Sequence, residues 1–274
     1  MQHQPISGKA SLYLGALAVV LFAGVLAYDQ TTSLNREEEQ ALQQVIQHDR
    51  MLAEHVARSF DSIEILLDEM RIAIQEGPRW QQWDAATGHR ILKSKLSRSL
   101  PQIRHLLLFD ADGYQRHTSF AESPAVINVR DRPYFQQIRE GADRARFGPY
   151  IGRNSNRPTY AIARRMGKEN FEGALMVAIE PQYFEDFCRA SRPFTEFETA
   201  IVNAEGVIVA ICRSLQGAMN QLPATAGSEY RMAMADGEIG AATLTMSRSL
   251  LETPRFLVST EPVPGYPDLR IVST

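Results

Sequence analysis

The sequence predicts an α+β fold in which one long amphipathic helix carries two related antiparallel-sheet modules. Three observations lead there. Residues 35–75 contain neither Pro nor Gly and hold an apolar stripe of helical period. Past residue 100 the pattern changes to short apolar runs broken by turn residues. The strand–turn–strand design around Asp110 then returns 93 residues later, around Asn203.

Length and composition bound the reading. A chain of 274 residues holds about two domains at a prior of ~150 residues each. With 44% hydrophobic and 22% charged residues it is neither a disordered tail, a collagen-like fibre nor a multi-span membrane protein. A net charge of −3 gives no case for a nucleic-acid partner. Two cysteines exclude a disulfide scaffold and a paired-CxxC zinc site. The average hides an asymmetry: residues 1–28 carry one charged side chain, Lys9, while the remainder has a net charge of −4.

Residues 10–28 form 19 uncharged positions. At about 1.5 Å per residue this just spans a ~30 Å hydrocarbon core. Lys9 precedes the run, and Asp29 and Glu37 to Glu39 follow it. The positive-inside rule therefore puts residues 1–9 in the cytoplasm and the body outside. A cleaved signal peptide is the rival, with Val25-Leu26-Ala27 as its site. The long run and nearly uncharged start favour an uncleaved anchor, residues 10–28 being a transmembrane helix. Export would permit a bridge between Cys188 and Cys212; two buried thiols are the alternative.

The long amphipathic helix is assigned to residues 29–76. Its apolar positions fall in three columns of seven-residue spacing: Leu42, Asp49, Val56, Ile63, Met70; Val45, Leu52, Ser59, Leu66, Ala73; Ile46, Ala53, Phe60, Leu67, Ile74. Three columns are wider than a coiled-coil seam, so the helix should pack on something broad, such as a sheet. Asn35 with Glu38 reads as a capping pair at its start. Gly77-Pro78 ends it.

Strands are expected at residues 103–109, 114–118, 160–164 and 173–179 in the first module. In the second they are expected at 199–202, 207–211, 241–246, 255–259 and 269–273. The turns at 110–113 and 203–206 are hairpin turns; Asp110-x-Asp112-Gly113 lacks the later ligands of a calcium loop.

Residues 130–165 hold nine arginines against Asp131, Glu140 and Asp143, a local charge of +6. Tyr134, Phe135, Phe147, Tyr150 and Tyr160 are interleaved. Planar guanidinium forks suit carboxylate or phosphate, and rings supply apolar walls. The segment reads as a pocket for a small, partly anionic ligand, with a solvated basic face as the plain alternative.

At this point the sequence resembles a family. The apolar head, the long helix and the stretches Val129-Arg-Asp-Arg-Pro-Tyr-Phe135, Gly148-Pro-Tyr-Ile-Gly152 and Gly173-Ala-Leu-Met-Val-Ala-Ile-Glu-Pro-Gln-Tyr-Phe184 are similar to the double Cache sensor domain of bacterial transmembrane receptors. The resemblance covers about residues 12–274 and is strongest from 103 to 184. It implies two tandem PAS-like (Cache) modules, membrane-distal at 77–184 and membrane-proximal at 185–274. It also implies a bacterial inner-membrane protein with a periplasmic body, working as a homodimer through parallel long helices.

In the amino-acid-sensing branch an Arg-x-Trp-Tyr run, a Tyr 16 residues after the Trp, and an Asp ending a later strand contact the ligand. By that resemblance Arg132 would hold a ligand carboxylate, and Tyr150 lies 16 residues after Tyr134, which replaces the Trp. Phe135 replaces the Tyr, Glu180 the ammonium-binding Asp, and Ile127 a further Tyr. Arg153 and Tyr160, from the same basic and aromatic segment, complete the candidate ligand-binding set. The expected ligand is small and carries a carboxylate, anionic or amino-acid-like.

No HExxH, GxSxG, P-loop or GxGxxG is present, and no spacing places a nucleophile beside a base. No catalysis, metal or cofactor is expected of this segment. A receptor of this kind needs an output module, such as a diguanylate cyclase or histidine kinase. The alternative is a stand-alone anchored binding or scaffold protein.

Overall fold

The structure, a computed structural model, describes residues 8–96, 100–122, 126–153, 155–193, 198–212 and 259–273. It is a mixed α+β architecture: one long helix and two antiparallel sheets.

Helix α1 runs from Gly8–Glu76 without interruption and stops before Gly77-Pro78. Asn35 therefore lies inside the helix and is not its N-cap; the apolar run upstream continues the same helix through it. Glu37 and Glu39 are exposed on its mid-length rather than on a first turn. Residues 8–45 form a unit of their own, in which Leu17, Val19, Val20, Leu21, Phe22, Val25, Leu26 and Tyr28 are exposed. Among the described residues no helix is long and apolar enough to cross a membrane. The side chains of residues 10–14 lie outside the described set.

From residue 46 on, the stripe does what its width requires. Val56, Ile63 and Met70 are buried, as are Ala53, Phe60, Leu67 and Ile74. The middle column drifts out: Leu52 and Ser59 are buried, Leu66 is half-buried and Ala73 exposed. A 3.6-residue helix rotates by about 20° per heptad relative to a seven-residue column, so one column must leave the core.

The first sheet contains β1 (Ile103–Asp110), β2 (Gln115–Thr118), β3 (Arg144–Ile151), β4 (Pro158–Met166) and β5 (Gly173–Ile179), in the order β2-β1-β5-β4-β3. Helix α2 (Ala85–Lys95) packs beside β2, and α3 (Pro133–Arg139) covers the sheet face opposite α1. Asp84 caps α2 by accepting from Thr87 N at 2.6 Å. Strand β3 was not foreseen, because its arginines, Gly148 and Pro149 break any apolar alternation.

Central strand β5 is buried on both faces. Leu175, Val177 and Ile179 join the α1 core, while Ala174, Met176 and Ala178 join the α3 side.

Helix α4 (Pro181–Ser191) leads to the second sheet, whose described strands are β6 (Thr199–Asn203), β7 (Ile208–Cys212), β8 (Ser259–Val263) and β9 (Tyr266–Ser273). Their order is β7-β6-β9-β8. The expected strand at 241–246 and all but the last residue of the one at 255–259 lie outside the described residues.

The two sheets repeat one another in detail. Asp110 Oδ1 accepts from Asp112 N at 3.1 Å and Tyr114 N at 2.9 Å; Asn203 Oδ1 accepts from Glu205 N at 3.1 Å and Val207 N at 2.8 Å. Gly113 and Gly206 complete the turns at φ 85° and 75°, where a side chain would be strained. Each opening hairpin carries a register shift one or two residues before its turn, at Leu108/Phe109 and Ile201/Val202.

One core joins α1 to both sheets. Phe60 sits at the junction, 5.6 Å from the Tyr160 ring of β4, 5.8 Å from Phe184 of α4 and 5.2 Å from Tyr266 of β9. Cys188 on α4 and Cys212 at the end of β7 form a disulfide with Cα atoms 6.1 Å apart.

Candidate functional site

The α3 face of the first sheet holds a cavity whose lining includes Arg104, Arg132, Tyr134, Tyr150, Arg153 and Ile127. Two ladder irregularities shape it. The β1–β5 register shifts between Ile103 and His105, so Arg104 is an extra residue in β1. Strict alternation would send Arg104 and His105 to opposite faces; the bulge lets both line the cavity. The β3–β4 register shifts between Phe147 and Tyr150, and both rings end on the α3 side.

Arg132 stands immediately before α3, with Pro133 at the first helical position. Its guanidinium lies 4.9 Å from the centroid of the Tyr150 ring and donates to Ile151 O at 3.3 Å. Tyr134 and Tyr150 have ring centroids 6.0 Å apart, with Phe147 stacked on Tyr150 at 5.8 Å. Burial pushes the Tyr150 phenol up to about 12 and raises Tyr134 well above its ordinary value. Both hydroxyls therefore stay protonated near neutral pH and can donate. Arg153 reaches Asp131 at 2.6 Å and Asn128 O.

Leu107, Phe109, Val129 and Met176 supply apolar wall. No carboxylate is found among the described residues that line the cavity. Burial, with Arg104 beside it, pushes His105 below its ordinary value, so its imidazole is neutral near pH 7. The space open to the centres of water molecules is about 50 Å³. One water needs about 10–15 Å³ by that measure, so the cavity suits something small.

Of the seven candidates, Arg132, Tyr134, Tyr150 and Arg153 meet at the cavity. Phe135 is fully buried against Phe171, at a centroid distance of 5.5 Å, and forms core. Tyr160 points to the other sheet face, onto Phe60, because its register on β4 puts it there. Glu180 is outside the lining; Arg104 grips it through Nε at 2.5 Å and through Nη2, and Arg157 stands 3.4 Å away. Arg104 itself was missed. A lone charge inside the apolar run 103–109 was the available signal.

The arginine-rich segment divides. Arg164 pairs with Glu64 and Asp68 on α1, Arg146 with Asp268, and Arg165 bonds Ile138 O and covers the Phe171 ring. These hold the fold, and only Arg132 and Arg153 of the nine line the cavity.

The structure does place a hydroxyl beside a base, which the sequence did not suggest. Ser191 Oγ lies 3.2 Å from His48 Nε2, and His48 Nδ1 lies 3.5 Å from Asp49 Oδ1. Ser191 donates back into its own helix, to Phe187 O at 3.0 Å, and Asp49 accepts from Ser273. His48 and Asp49 are buried and Ser191 half-buried, and with Ser273 they tie α1, α4 and β9 together outside the cavity lining.

A long helix bearing two repeated antiparallel sheets, the first with a small cationic and aromatic cavity, is the Cache-like fold of extracellular ligand-binding sensor domains of histidine kinases and chemoreceptors. Among solved structures it is similar to the extracellular domain of rpHK1S-Z16, with TM-score 0.64, 22% identity and coverage of 82% of this chain and 90% of that one. The ligand-binding domain of the Pseudomonas aeruginosa PAO1 amino acid chemoreceptor PctC in complex with GABA gives 0.58, 13%, 85% and 97%. The sensor domain of the V. cholerae histidine kinase DctB gives 0.55, 14%, 86% and 97%. No family model and no curated protein matches the sequence.

Proposed function

We propose that this chain is the extracytoplasmic sensing part of a membrane-anchored signalling receptor, binding a small carboxylate-bearing ligand in its first module. One observation carries the reading: the cavity gathers Arg132, Arg153 and two protonated tyrosines, with no lining carboxylate among the described residues. Arg132 spends one donor on Ile151 O, which leaves its fork able to hold a carboxylate in two hydrogen bonds. The solved neighbours include a chemoreceptor domain in complex with GABA and another with L-alanine, which supports a ligand of this size.

In this reading residues 10–28 anchor the chain in a bacterial inner membrane, residues 1–9 stay in the cytoplasm, and the body is periplasmic. The exposed apolar side chains between Leu17 and Leu26 support the anchor. Module 77–184 lies far from the membrane and module 185–274 near it. Two copies pair through α1, where Met51, Ile65 and Ile72 are exposed on one seven-residue column with Arg58. Ligand shifts the receptor only by its differential affinity for two arrangements of the paired helices. The segment senses and does not catalyse; an output module would act on the signal.

The test is thermal stabilisation of the full chain in detergent by a panel of small carboxylates. At least one compound should raise the Tm, and Arg132→Ala should abolish that rise while leaving the unliganded Tm within a few degrees. Shifts that survive Arg132→Ala unchanged would place binding elsewhere.

A further inference from the structure

We infer that Arg104 sets the ligand class: by neutralising Glu180 it makes the cavity accept carboxylates that carry no ammonium group. The inference rests on the carboxylate-binding reading above and narrows it.

The guanidinium of Arg104 is fully committed. Its Nε donates to Glu180 Oε2 at 2.5 Å, and Nη2 donates to Glu180 Oε1 and to Pro158 O at 3.0 Å. Nη1 donates to Ser155 Oγ at 3.2 Å and Thr159 Oγ1 at 2.9 Å. A guanidinium has five N–H donors, and all five are used. Arg104 is thus not a ligand-holding fork. It is a counter-ion for Glu180, clamped in place by the bulge in β1 and by the start of β4.

The consequence falls on the ligand's amino group. Arg104 lines the cavity and Glu180 does not. Two described carboxylates pair with lining arginines, and both are held: Asp131 by Arg153 at 2.6 Å, and Glu180 by the buried guanidinium of Arg104 with a second, that of Arg157, 3.4 Å away. An ammonium entering here would face the Arg132 guanidinium and find both neighbouring carboxylates already paired with arginine. Burying it unpaired beside like charges is strongly unfavourable. A carboxylate meets Arg132 and Arg153 instead, and a short apolar tail meets Leu107, Val129 and Met176.

The test compares size-matched pairs on the full chain in detergent by calorimetry: propionate against alanine, and succinate against aspartate. Wild type should bind each amine-free member at least tenfold more tightly. Arg104→Gln leaves Glu180 only the more distant and exposed Arg157 and should reverse the order, weakening propionate and introducing alanine binding. Arg104→Lys, which keeps the charge, should retain the wild-type order. The double variant Arg104→Gln/Glu180→Gln should lose alanine binding again, which separates a freed carboxylate from a merely loosened fold. Equal binding of alanine and propionate by wild type, or equal weakening of both by Arg104→Gln, would overturn the inference while leaving the carboxylate site intact. Failure of all four compounds in wild type and in Arg104→Gln would overturn the carboxylate reading itself, and this inference with it.

Discussion

Arg146 Nη2 on β3 donates to Asp268 Oδ1 on β9 at 2.7 Å, and the same guanidinium lies 4.8 Å from the centroid of the Tyr266 ring. Tyr266 in turn donates to Asp61 of α1 at 2.9 Å. The residue after Arg146 is Phe147, which stacks on the cavity residue Tyr150. One strand therefore sends Phe147 to the aromatic rings of the α3 side and the adjacent Arg146 to the second sheet.

A double-mutant cycle on Arg146→Ala and Asp268→Ala measures that tie. Asp268 is 37% exposed, so solvent screens the pair. The coupling should be about 0.5–1 kcal/mol by urea denaturation. Additive single effects would show that the contact carries no energy between the sheets.

The buried pair Arg164–Glu64 behaves differently. Its atoms approach to 2.6 Å with side chains 5% and 11% exposed. Burial pushes the Glu64 carboxyl up, and Arg164 opposes that rise. Arg164→Met leaves a buried carboxylate without its main counter-charge and should cost about 3–5 kcal/mol. The double replacement Arg164→Met/Glu64→Leu should recover most of the loss in chemical denaturation. A single variant as stable as wild type would contradict this.

Reduction tests the Cys188–Cys212 bridge. It closes a loop of 24 residues, worth about 3 kcal/mol in the loop-entropy model. Dithiothreitol should lower the Tm of wild type and leave Cys188→Ser/Cys212→Ser unchanged. Free-thiol titration should read zero before reduction.

Acidification should destabilise the fold through its histidines. Burial holds His55, His105 and His117 below 6.5, and Arg58 adds to the effect at His55. The unfolded chain binds these protons at a pH where the folded chain does not. The stability they contribute is thus present above pH 6.5 and falls as pH drops toward the lower folded values. His55 stacks on Phe187 at 3.6 Å, so His55→Phe keeps a ring while removing the titration. Between pH 8 and pH 5.5 its Tm should decline less than that of wild type; parallel curves would remove His55 from the account. Glu64 and Glu185, which burial pushes up, act in the opposite sense and are common to both proteins.

Much of the architecture was legible because it rests on local periodicity. The three apolar columns required a broad partner, and α1 packs on both sheets. The repeated turns at Asp110 and Asn203 marked two hairpins that the structure shows as equivalent. Strand β5 was bounded correctly at Gly173 and Ile179, since a run buried on both faces is continuously apolar. The helix start was misread because Asn35 and Glu38 imitate a cap wherever they occur, and nothing local says that the helix has already begun.

The site was legible only in part, for a physical reason. Sequence shows that nine arginines cluster, but a cluster has no inside. Arg164 finds Asp68 across 96 residues and Arg146 finds Asp268 across 122, pairings that no local pattern encodes. By itself the sequence determined the long helix, the two repeated hairpins, strand β5 and the chemistry available: forks, rings and an uncharged head. The tertiary structure decided which of those groups share a cavity. A one-residue bulge in β1 turned Arg104 onto Glu180, and Tyr160 was turned onto Phe60, because side-chain direction in a sheet follows register, and register is settled between strands far apart in the chain.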